Sequence, residues 1–150
     1  MSQNEFEAIL SDSVRHLEKL VGVELSKSRI DSALKEATHI IIHELAHTAL
    51  EQALPWLGNL EERQRVLVDD VLARFLERKV SAQLHLFTES PEEQLKEMRG
   101  YSLLQDLDWS LDFYHQLYEE FEKHIRHGGN VEAFAHKILE YYQEHGARDH

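Results

Sequence analysis

Apolar residues recur at helical spacing from Asn4 to Val21, where Phe6, Ile9, Leu10, Leu17, Leu20 and Val21 gather on one side, and the pattern stops near Gly22. A second helix is expected to start near Ser28 to Asp31 and to run until Pro55, which cannot continue it. Between them, Val21 to Leu25 is the only stretch with strand character, and it is short. Pro55 to Asn59 (P-W-L-G-N) reads as a loop, and Asn59 followed three residues later by Glu62 has the form of an N-terminal cap. A third helix then runs to about Phe87. In T-E-S-P-E-E, Ser90 is a cap, Pro91 takes the first helical position and Glu93 closes a capping box. The fourth helix is interrupted or kinked at Gly100 and continues to His127, where Gly128 and Gly129 end it. Asn130 caps a last helix from Val131 to about His145. These elements predict an all-α chain, an irregular bundle of about five helices. The alternative is an α+β fold with a small sheet near residues 21–25.

Length and composition change this picture little. The chain has 150 residues, enough for a single helical domain over 1–150 with a proper core. Six glycines and two prolines agree with long helices and few turns. Charge is more restrictive: at −12, with no Lys/Arg cluster, a phosphate-binding surface is not expected, and nucleic acid is excluded as a partner. Zero cysteines remove disulfides and thiolate metal sites together, so any metal must be held by His, Asp or Glu. The start, MSQNEFEAIL, lacks the basic residues and apolar core of a secretion signal, and no apolar run is long enough to span a bilayer. No membrane association is expected, and the cytoplasm is the expected compartment.

Chemistry concentrates in Thr38 to Leu50, T-H-I-I-I-H-E-L-A-H-T-A-L, in which His43, Glu44 and His47 spell H-E-x-x-H. On a helix the two histidines share one face, roughly 6 Å apart along the axis. Two imidazoles at that separation can hold one zinc ion, and the intervening glutamate can act as base toward a metal-activated water. Ile41, Ile42, Leu45, Ala46, Thr48 and Ala49 around them are all uncharged, which suits a helix beside a dry site. Over these dozen residues the chain resembles the zincins, metallopeptidases built on an H-E-x-x-H helix. That resemblance implies zinc on His43 and His47, Glu44 as the catalytic base, a peptide substrate, and a small sheet beside the active helix.

Glu36, His39, His43 and His47 fall in one narrow sector, while Ile40, Ile41, Ile42, Leu45, Ala46 and Ala49 occupy nearly all the rest of the circumference. A helix apolar on most sides is a central element. Unpaired polar groups cost a few kcal/mol to bury, so the histidines need a metal, a polar network or a cleft. His39 and His47 stand about 12 Å apart along the axis, too far to share one tetrahedral ion. His43 can pair with either, and the resemblance selects His47, with His39 in reserve.

A third protein ligand is wanted, and in zincins it comes from a later helix. Helix three offers Asp69 and Asp70. Asp69 lies on the wheel among Ala73, Leu76 and Val80, an apolar face where a bare carboxylate is costly. Asp70 lies with Arg74, Glu77 and Ser81 on a polar face. Asp69 is therefore the first choice and Asp70 the reserve, against the plain alternative that Asp69 pairs with Arg65. D-D-V-L-A-R-F-L also looks like the acidic helix that follows the motif in some small bacterial zincins, with aspartate in place of the more usual glutamate.

Three functions follow. The first is a zinc-dependent hydrolase or peptidase acting on a peptide or small molecule, with His43, His47 and Asp69 as ligands and Glu44 as base. The second is a helical-bundle iron or other metal carrier of ferritin or hemerythrin type, because Glu36-x-x-His39, Glu44-x-x-His47 and Asp112-x-x-His115 repeat the acidic-x-x-His pattern of di-iron bundles. Asp112 and His115, however, fall on the outward face of their helix. The third is a non-enzymatic interaction or regulatory domain, with a protein partner or a second copy of itself and with structural or pH-sensing histidines.

Overall fold

The computed structural model describes residues 2–36, 41–86, 88–105 and 107–146. Among them are seven α-helices and no strand, so the chain is all-α. The helices are α1 (Gln3–Val21), α2 (Lys27–Glu36), α3 (Ile41–Ala53), α4 (Glu62–Gln83), α5 (Pro91–Gly100), α6 (Leu111–Arg126) and α7 (Val131–Tyr141), with short 3-10 or π turns at Pro55–Asn59, Ser102–Leu104 and Tyr142–Gly146. None is long and apolar enough to cross a membrane among the described residues. Residues 37–40, between α2 and α3, lie outside them, and His39 with them.

The count exceeds five partly because the interruption expected at Gly100 is complete: one helix ends there and another starts at Leu111. Tyr101 is extended, a 3-10 turn follows, and Ser110 starts α6 by accepting a hydrogen bond from the Phe113 N–H at 3.1 Å. The sheet expected near residues 21–25 does not form. Gly22 closes α1 in the left-handed conformation, at φ 81°. The Leu25 N–H then donates to Glu18 Oε2 at 2.7 Å, and Gln52 Nε2 donates to the Glu24 carbonyl at 2.8 Å. Side chains thus occupy backbone groups that a ladder would have used. Asn59 is no cap either: it sits within the 3-10 turn, two residues before the position that precedes α4. Ser90 and Asn130 do cap α5 and α7, accepting from Glu93 and Ala133 N–H groups.

The chain forms two compact units, Met1–Pro55 with Ala73–Thr88, and Trp56–Leu72 with Glu89–His150. In the first, α1 and α2 each pack on α3, and Leu17, Val21, Leu45, Ala46, Ala49, Leu50, Phe75, Leu76 and Val80 are buried. In the second, α6 packs on α5 and α7. Its interior holds Leu117, Phe121 and Phe134, and the Tyr114 hydroxyl donates to Gln94 Oε1 at 3.1 Å. A fully buried Leu or Phe contributes roughly 1.5–3 kcal/mol, so these interiors outweigh the caps at about 1 kcal/mol each.

The most enclosed helix is α4, not the motif helix. Every residue from Asp70 to Glu77 is buried, polar ones included: Asp70, Arg74 and Glu77 keep 4%, 2% and 3% of their surface. After Gln83 the chain turns sharply. His85 adopts a positive φ of 56°, and the Leu86 N–H donates back to the Ser81 carbonyl at 2.8 Å, ending the helix short of Phe87, which itself lies outside the described residues.

Candidate metal centre

Helix α3 buries Ile42, Leu45, Ala46, Ala49 and Leu50 and leaves His43, Glu44, His47 and Thr48 half-buried. That division follows from the 3.6-residue repeat. His43 and His47, one turn apart, meet edge to face, with ring centroids 4.5 Å apart and planes at 88°. Their Nε2 atoms converge to 2.9 Å. Two nitrogens on one tetrahedral zinc stand about 3.3 Å apart, from Zn–N distances near 2.05 Å. A few tenths of an ångström of ring movement would therefore suffice to admit an ion between them.

The other nitrogen of His43 is engaged as well. Nδ1 lies 2.8 Å from Glu77 Oε2, and Thr88 Oγ1 donates to Glu77 Oε1 at 3.0 Å. Both oxygens of this carboxylate thereby have partners, which is what a buried charge requires. The His43 side chain keeps 17% exposure against 4% for Glu77, so the imidazole reaches solvent while the carboxylate behind it is sealed.

Glu44 follows His43 in the first turn of α3, and its carbonyl accepts from Thr48 Oγ1 at 3.0 Å. Asp70 is buried on α4, whereas Asp69 is half-buried; both engage neighbouring groups. The wheel suggested the opposite order of burial. The reason is that α4 is buried without a break from Asp70 to Glu77, so its polar stripe (Asp70, Arg74, Glu77, with Ser81 a turn on) lies inside too. Glu77 and Thr88 are the site residues that sequence reasoning missed. The available signal was the stripe itself, since carboxylates on an enclosed helix must meet polar partners, and the histidine row offers them.

Other histidines are occupied elsewhere. His16 Nδ1 lies 3.0 Å from the Asp12 carbonyl, His124 Nε2 lies 2.7 Å from that of Asn130, and His136 stacks on Trp56 at 4.5 Å with planes 6° apart. On α6, Asp112 is exposed and His115 half-buried. Comparison with protein-family models, curated proteins and solved structures finds no match to this chain.

Proposed function

We propose that the protein binds one divalent cation, zinc by its donor chemistry, through Nε2 of His43 and His47 with a carboxylate to complete the set, and that it is a zinc-dependent hydrolase of peptide or small-molecule substrates. One observation carries this reading: two histidines of an H-E-x-x-H helix turn the same ring nitrogen toward a common point, 2.9 Å from each other. The donor set supports it, because nitrogen and carboxylate ligands suit zinc in a chain without cysteine. The same two-histidine, one-carboxylate set also takes iron(II), so metal analysis must cover both.

Bound zinc supplies Lewis acidity that brings the pKa of a water toward 7. Glu44 would be the group of this chain that takes a proton from water and returns it to the leaving group.

Zinc at about 100 times its Kd should stabilise the native state by about 2.7 kcal/mol, a Tm rise of roughly 5–10 °C for a chain of this size. His47→Ala should abolish the rise. Glu44→Gln should keep it while losing the zinc-dependent hydrolysis of p-nitrophenyl acetate and of a mixed peptide library. Full hydrolysis in Glu44→Gln would end the enzyme assignment. A Tm unmoved by both zinc and iron(II) would leave a closed His43–His47–Glu77 polar network in a non-enzymatic helical domain.

A further inference from the structure

We infer that Glu77, braced by Thr88, is a positioning residue that fixes the proton of His43 on Nδ1 and so turns its Nε2 lone pair outward. This deepens the metal-binding reading and rests on it for its second consequence, though not for its first.

An ionised carboxylate only accepts hydrogen bonds. With Glu77 Oε2 at 2.8 Å, Nδ1 of His43 must carry the hydrogen, or two lone pairs would face each other in a buried place. In the neutral ring Nε2 is then the acceptor. The 2.9 Å contact between the two Nε2 atoms accordingly runs from His47 Nε2–H to His43 Nε2. Without metal, the two rings hold opposite tautomers.

Thr88 makes the arrangement rigid. It takes the second oxygen of Glu77 at 3.0 Å, so the carboxylate cannot swing away from the imidazole. Had α4 continued, Thr88 would stand about 16 Å farther along the axis than Glu77. The reversal at His85, at φ 56° where L residues are seldom found, and the Leu86-to-Ser81 hydrogen bond bring it back. A ligating histidine held by a carboxylate through its other nitrogen is the arrangement that sets tautomer and basicity at metal sites, and losing the carboxylate there weakens metal binding about 10–100-fold. Glu77 and Thr88 thus give a site on one half-buried helix a support from a different helix and from the turn that follows it.

The test reads histidine tautomers by long-range 1H–15N NMR on the metal-free protein at about pH 8.5, where ordinary imidazoles are neutral. It reads metal affinity separately, by cobalt(II) absorption. Wild type should show His43 protonated on Nδ1 and His47 on Nε2. Glu77→Leu should move the His43 proton to Nε2 and weaken cobalt(II) binding about 10–100-fold. Glu77→Gln, which keeps an acceptor oxygen, should preserve the tautomer with a smaller loss, and Thr88→Val should also lose less than Glu77→Leu. A wild-type spectrum with His43 protonated on Nε2 overturns the inference without any variant. So does unchanged cobalt(II) affinity in a folded Glu77→Leu. If the tautomers are as expected but wild type binds no cobalt(II), the positioning role stands and the metal reading falls.

Discussion

Tyr141 lies on α7 with its hydroxyl 3.4 and 3.2 Å from the two oxygens of Glu120 on α6. Burial, and then the Glu120 charge and the hydrogen bond to it, raise its pKa above the usual phenol value. Ionisation is therefore easier in the unfolded chain. The contribution to stability is intact below about pH 10 and is lost as pH rises from there through the folded value. Urea midpoints at pH 8 and pH 10.5 should drop further apart in wild type than in Tyr141→Phe; equal drops would contradict this. Residues also mark the limit of what could be read in advance. His43, Glu44 and His47 announce themselves because their geometry is internal to one helix. Glu77 meets His43 across 34 positions of sequence, and Thr88 meets Glu77 only after a reversal at a non-glycine residue. No local pattern encodes either contact.

At the scale of elements, helix starts reward the side chain that stands immediately before the first turn. Ser110→Ala should cost about 1 kcal/mol by loss of the Phe113 N–H acceptor, whereas Asn59→Ala should stay within about 0.5 kcal/mol, because Asn59 lies inside a 3-10 turn. Urea denaturation of the two variants tests the pair, and the reverse ranking would refute the assignment of caps. Most helices were legible because their apolar repeat and their capping residues agree, as at Ser90–Pro91 and Asn130. The strand suggested by Val21 to Leu25 failed because Glu18 and Gln52, on neighbouring helices, compete for its backbone. Periodicity also favoured α3 as the central element. It could not reveal that α4, whose stripe looks solvent-facing, is enclosed through Glu77.

For the whole chain, 28 acidic residues against 16 basic ones set up repulsion that ordinary salt relieves. Sodium chloride, raised from low to moderate concentration, should lift the Tm of wild type and His47→Ala alike. Zinc at micromolar concentration should lift wild type alone, and differential scanning calorimetry separates the two responses. A zinc effect that survives in His47→Ala would reduce it to screening. The choice of calorimetry has a structural basis. Both tryptophans and all five tyrosines fall within Trp56–Leu72 and Glu89–His150, while His43, His47, Glu77 and Thr88 belong to the other compact unit. Indole and phenol dominate the near-ultraviolet signal, and the imidazoles of His43 and His47 are optically mute above about 280 nm. Cobalt(II), by contrast, brings its own colour to the place in question.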